Sequence, residues 1–136
     1  MFPDVGLERD RRGRMRRSPY LLSTPQARSL VRDAVVGVCQ FRAWFLYALH
    51  VRINHVHGIV ESDAPRRVLN DWKAYATRAL RGAGLTGADQ PVWTHAGSTR
   101  RIASADGLKR AIRYVLEEQG EPMETFSAVP RPDGRG

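Results

Sequence analysis

The 136-residue sequence predicts an α+β domain, a mostly antiparallel sheet with helices packed on it. Three observations predict this. Apolar residues recur at helical spacing in three separate stretches. Two short apolar runs, aromatic and β-branched, stand back to back across a tight link, the pattern of a hairpin. The hydrophobic fraction is 42% on a length typical of one domain, enough for a single core and too much for a disordered chain.

Residues 1–19 are polar and charged, with arginines at 9, 11, 12, 14, 16 and 17 and Pro19 closing the segment. They read as a basic, partly disordered arm, either simply solvated or in contact with phosphates. Thr24-Pro25 is a helix start, Thr as the N-cap and Pro at the first helical position. Leu30, Val31, Ala34, Val35, Val38 and Cys39 then carry a helix over 24–41. Ala43 to Val51 reads as a buried strand, Arg52-Ile53-Asn54 as a tight link, and His55 to Glu61 as the second strand of the hairpin. Pro65 starts a helix to about Arg81, with an apolar stripe of Val68, Leu69, Trp72, Ala76 and Leu80. Gly82, Gly84 and Gly87 make a flexible loop. Val92 to Ala103 reads as a strand or bent hairpin. Ser104 caps a last helix with Leu108, Ala111, Ile112, Val115 and Leu116 apolar, stopped by Gln119-Gly120 and Pro122. The folded domain is thus expected over 20–122, followed by a loose tail over 123–136.

Twenty-two Lys and Arg against fourteen acids give a formal net charge of +8. Only Lys73 and Lys109 are lysines. A small basic domain points to a polyanion, nucleic acid first and an acidic membrane surface second. An arginine bias also follows from a GC-rich genome, so the bias alone is weak. The single cysteine, Cys39, excludes an internal disulfide framework and a multi-cysteine zinc site. No apolar run approaches the length of a membrane span. The first residues lack the apolar stretch of a signal peptide. A cytoplasmic protein is expected.

The sharpest chemical feature is His55-Val56-His57. On a strand, residues two apart share a face, so the two imidazoles stand side by side while Val56 packs on the other side. Two neutral imidazoles at that spacing suit one divalent ion; the competing reading is a pair of partly buried, hydrogen-bonded histidines. Gly58 is read as leaving room beside this face. Tyr114, on the last helix, reads as a core or rim residue or as a nucleophile. A phenol holds its proton to about pH 10, so the second reading needs a polarised phosphate or help with deprotonation. Glu118 lies four residues on, on the same helical face, and Gln119 lies five on; either supplies an oxygen for a third ligand.

Leu49-His50-Val51-Arg52-Ile53-Asn54-His55-Val56-His57-Gly58-Ile59-Val60 resembles the metal-binding strand of the HUH (histidine–hydrophobic–histidine) single-tyrosine transposases. That family includes the REP-associated tyrosine transposases and small insertion-sequence transposases. The likeness continues in order. Asn70 to Thr77 is similar to the family's lysine-bearing helix, Val92 to Arg100 to its Trp-containing strand, and Arg113 to Gly120 to its nucleophile helix. It spans about residues 20–122.

The resemblance implies a ferredoxin-like HUH domain that cleaves and rejoins single-stranded DNA, expected as a hairpin. Tyr114 would attack the scissile phosphate and leave a 5′-phosphotyrosine and a free 3′-OH. A divalent ion, Mg or Mn, would be held by His55, His57 and Gln119, with Glu118 as the alternative third ligand. Lys73, Arg52, Arg100 and Arg113 would hold the DNA backbone, and Trp93 and Tyr75 would stack on bases. The protein would be cytoplasmic and nucleoid-associated, a monomer or homodimer. The family's first strand precedes helix one, whereas here 1–19 reads as an arm. Whether Tyr114 meets the histidines of its own chain or of a partner stays open. The other readings are a non-catalytic or domesticated DNA-binding domain on the same fold, and an unrelated metal-dependent hydrolase pairing H-x-H with a carboxylate.

Overall fold

The computed structural model describes residues 2–8, 22–87, 92–93, 98–118 and 120–128. The elements run β1 (Phe2–Glu8), α1 (Pro25–Arg42), β2 (Phe45–Val51), β3 (His55–Glu61), α2 (Pro65–Gly82), β4 (Ser98–Ile102), α3 (Ala105–Glu117) and β5 (Glu124–Ser127). The five strands form one sheet in the order β4-β1-β3-β2-β5, and every neighbouring pair is antiparallel. The α+β class holds, with β3, the histidine strand, at the centre.

The helix boundaries follow from local chemistry. Thr24 accepts a hydrogen bond from the Ala27 N–H at 3.1 Å, which satisfies one of the unpaired donors at the start of α1. Ser104 does the same for the Gly107 N–H at 3.0 Å and starts α3. α1 ends at Ala43, which takes a left-handed conformation (φ 58°), so β2 begins two residues later than expected. The stripe of α2 is buried as read: Val68, Leu69, Trp72, Ala76 and Leu80.

The sheet is covered on both faces. Val31, Val35, Val38 and Cys39 of α1, the α2 stripe, and Leu49, Val51, Val56 and Val60 of the hairpin make the larger core. Ala48, Ile59, Ile102, Ala111 and Val115 make a smaller core under α3. Alternation along β3 separates the two, since Val56 and Val60 face α1 and α2 while Ile59 faces α3. A bulge between Leu46 and Ala48 in β2 places Tyr47 and Ala48 in turn beside the smaller core.

Three expectations are corrected. The arm over 1–19 begins as a strand, for Phe2–Glu8 pairs with β3 on one side and β4 on the other. Pro3 and Gly6 hide its alternation, and partners on both edges override its weak local preference. The arginines at 9–17 lie outside the described residues. The tail expected over 123–136 begins as β5, which pairs with β2. Its anchor is an ion pair between Arg28 of α1 and Glu124, with Arg28 also donating to the Leu22 carbonyl at 2.9 Å and Phe126 packed on the larger core. The strand or bent hairpin expected over 92–103 does not begin at Val92, which is buried in the larger core outside any strand; among the described residues of this stretch the strand is Ser98–Ile102, and 94–97 lie outside them.

Gly58 has a packing role. A Cβ there would sit 2.7 Å from Cη2 of Trp72 and 3.1 Å from the Ala48 carbonyl oxygen. Trp72 is fully buried and has no room to retreat. Gly58→Ala is therefore expected to destabilise the protein by about 1–3 kcal/mol through overpacking, read as a lower urea midpoint at unchanged slope.

Candidate active site

His55 and His57 stand on the α3 side of β3, next in line to Ile59. Their ring centroids are 5.5 Å apart with planes at 67°. Both are partly buried, while Val56 between them is fully buried on the opposite face. Gly58 also belongs to that opposite face, against Trp72, so the expectation that it leaves room beside the histidines is wrong. Alternation along the strand is the reason. His57 pairs across the sheet with His50 of β2 and Gly6 of β1, and Gly6 pairs in turn with Ser98 of β4.

Tyr114 comes from α3. Ala111 and the fully buried Val115 hold this helix to the sheet, which leaves Tyr114 at the edge of the packed side, 48% exposed. Its ring centroid lies 6.0 Å from that of His57, edge to face at 72°. Two elements distant in sequence, β3 and α3, thus bring His57 and Tyr114 together within one chain.

His50 sets this convergence, and sequence reading passed over it. It is fully buried, and both ring nitrogens are engaged. The Met123 N–H donates to Nε2 at 2.9 Å, so Nδ1 carries the proton and donates to the Val115 carbonyl at 2.9 Å. One imidazole therefore ties the last turn of α3 and the start of the β5 segment to β2. A histidine amid apolar strand residues is the signal, since a buried imidazole needs two partners. Arg52 adds a second tie, donating from Nη1 to the Glu121 carbonyl at 2.6 Å. Gly120, at φ +90°, lies against its guanidinium, 3.2 Å from where a Cβ would be. Arg52 was expected on DNA; in the structure it holds the turn after α3.

The remaining expected residues divide. Arg100, Arg113 and Glu118 line a cleft with Tyr114. Lys73 belongs to α2, which packs on the sheet face away from Tyr114. The Trp93 indole N–H donates to Thr77 Oγ1 at 2.8 Å and to the Lys73 carbonyl at 3.2 Å, so Trp93 fastens its loop to α2. Tyr75 carries the Arg78 guanidinium over its ring at 5.0 Å. Gln119 lies outside the described residues.

Two imidazoles on one strand face at this separation fit two positions around a divalent ion. Among the described residues no group of three or more His, Cys, Asp and Glu forms, so Glu118 is not gathered with the pair. No helix among the described residues is long and apolar enough to cross a membrane.

Burial lowers the pKa of His50 below the ordinary 6.5; its bond to the Val115 carbonyl acts in the opposite direction but more weakly. The folded protein therefore binds this proton less readily than the unfolded chain. Stability from the neutral ring is complete above about pH 6.5 and is lost as pH falls below it. Urea midpoints measured between pH 7.5 and 5 are expected to fall, and the His50 ring resonances to titrate below the ordinary value.

No protein-family model matches the chain, and no curated protein matches it. Among solved structures, the fold is similar to that of a REP-associated tyrosine transposase bound to a REP hairpin, with a TM-score of 0.58 and 21% identity. The match covers 86% of this chain and 64% of that one, so the chain spans under two thirds of the length of this neighbour. The likeness establishes a shared α+β fold.

Proposed function

We propose that the chain cleaves and rejoins single-stranded DNA through a covalent 5′-phosphotyrosine, as a transposase-like HUH enzyme. The observation that carries this reading is the ring of Tyr114, half-exposed, 6.0 Å from His57 of the same chain. Likeness in fold to a tyrosine transposase solved with a DNA hairpin supports it.

In this reading His55 and His57 would hold a divalent ion, Mg or Mn, with Gln119 as the expected third ligand, since Glu118 is not gathered with the pair. When bound, the ion supplies Lewis-acid polarisation of the scissile phosphate. Tyr114 Oη attacks phosphorus, the P–O3′ bond breaks, and the upstream strand leaves with a free 3′-OH. Attack by a 3′-OH on the phosphotyrosine restores the phosphodiester, so no nucleotide triphosphate is consumed. The ties from His50 and Arg52 hold α3, so Tyr114 is oriented before DNA arrives. The partner is single-stranded DNA, expected as a hairpin, and the location is cytoplasmic and nucleoid-associated.

The non-catalytic reading rested on a missing first strand, and β1 removes that ground. The hydrolase reading needs a carboxylate beside the histidines, and no such group of three occurs among the described residues.

The test is a cleavage assay with Mn²⁺ and labelled hairpins from the DNA flanking the gene. A covalent protein–DNA band is expected on a denaturing gel, absent in Tyr114→Phe and reduced at least about 100-fold in His57→Ala. Binding without any adduct returns the non-catalytic reading. Since Tyr114 faces His57 of its own chain, a mixture of Tyr114→Phe and His57→Ala is expected to form no more adduct than His57→Ala alone; full recovery would mean that partners exchange the helix.

A further inference from the structure

Arg52 stands between the two parts of the candidate site. It is the first residue of the link from β2 to β3, and its backbone N–H donates to the His55 carbonyl at 2.8 Å. That bond closes the hairpin turn where the histidine strand begins. The Leu22 N–H donates to the Ile53 carbonyl at 2.8 Å and ties the same turn to the chain ahead of α1.

The side chain of Arg52 reaches the other way. Its Nη1 donates to the Glu121 carbonyl at 2.6 Å, and its Nη2 lies 3.2 Å from where a Cβ on Gly120 would be. Gly120 turns the chain there at φ +90°, a conformation open to glycine. On the helix side, the Glu118 N–H donates to the Tyr114 carbonyl at 3.1 Å and ends α3. Backbone and side chain of one residue thus tie the origin of β3 to the exit of α3.

Gln119, the third ligand of the reading above, is joined by peptide bonds to Glu118 and Gly120. The two histidines share a strand, so their spacing does not depend on α3. A donor from the exit reaches the same ion only if exit and strand keep a set separation. A bond that fixes this separation beforehand removes an ordering cost from metal binding. Partners outside the ligand set act on metal affinity in this way.

We infer that Arg52 is a positioning residue for the divalent-ion site, holding the exit of α3 in register with His55 and His57 so that three ligands meet one ion. The inference rests on the reading of His55, His57 and Gln119 as ligands of one ion. It assigns Arg52 to the metal rather than to the DNA backbone.

The test is a Mn²⁺ titration of the full chain without DNA, with the free ion followed by electron paramagnetic resonance. Circular dichroism checks that each variant is folded. Arg52→Gln is expected to bind Mn²⁺ about 10- to 100-fold more weakly than the parent. Arg52→Lys, which keeps a donor for the Glu121 carbonyl, is expected to recover part of the loss. Gly120→Ala disturbs the same contact from its other side and is expected to weaken binding too. Because both changes act on one contact, the double variant is expected to bind no more weakly than the weaker single one. Arg81→Gln, at an exposed position of α2, is expected to match the parent.

Parental Mn²⁺ affinity in folded Arg52→Gln overturns the inference, as does an equal loss in Arg81→Gln. If Arg52→Gln does not fold, parental affinity in folded Gly120→Ala overturns it instead. Parental Mn²⁺ affinity together with weaker binding of oligo-dT in EDTA returns Arg52 to the DNA backbone. No Mn²⁺ binding by the parent, or parental affinity in His57→Ala, removes the metal reading and the inference with it. Weakened Mn²⁺ binding in Arg52→Gln with no Tyr114 adduct on any strand keeps the positioning role and removes the catalytic reading.

Discussion

The structure depends on β3 lying in the middle of a sheet that is covered on both faces. A central strand has no solvent side, so each residue must suit one core or the other. Val56, Gly58 and Val60 answer to α1 and α2, and Gly58 is small because Trp72 occupies the space where its side chain would be. His55, His57 and Ile59 answer to the α3 side. Ile59 joins the smaller core, and α3 does not extend over the histidines fully, so they remain partly open. A one-residue slip in the pairing of β3 would bury both imidazoles against Trp72 and turn Val56 to the cleft side. The register of the hairpin therefore fixes the packing and the presentation of the candidate metal ligands together.

The same economy applies to α3. It is joined at one end to β4 and at the other to β5, both strands of the sheet that carries the histidines. His50 and Arg52 draw its exit onto the end of β2. Tyr114 is thus placed by a short helix with both ends anchored, close to the ideal of a reactive group carried on rigid elements.

Much of this was legible in local sequence because the signals were local. Thr24 and Ser104 cap the two helices that they appeared to cap, the α2 stripe is buried residue for residue, and the period of two put His55 and His57 on one face. What escaped reading depended on distance. β1 is disguised by Pro3 and Gly6 and exists through partners on both edges. β5 has four residues and is held by Arg28, 96 positions away. The bonds of His50 span 65 and 73 residues, beyond any periodicity. Gly58 was seen as special and assigned to the wrong face, because its neighbours drew attention to the histidines rather than to Trp72. Arg52 was expected to hold the DNA backbone, and its bond to the Glu121 carbonyl spans 69 residues, beyond local pattern.

The central claim is that Tyr114 forms the bond to DNA. The most direct measurement is tandem mass spectrometry of the protein after incubation with Mn²⁺ and flanking single-stranded DNA, with the DNA trimmed by nuclease. The account predicts a nucleotide linked through its 5′-phosphate to the peptide containing Tyr114 and to none of the other three tyrosines. A nucleotide on another residue, or none on any peptide while the DNA is bound, would contradict it.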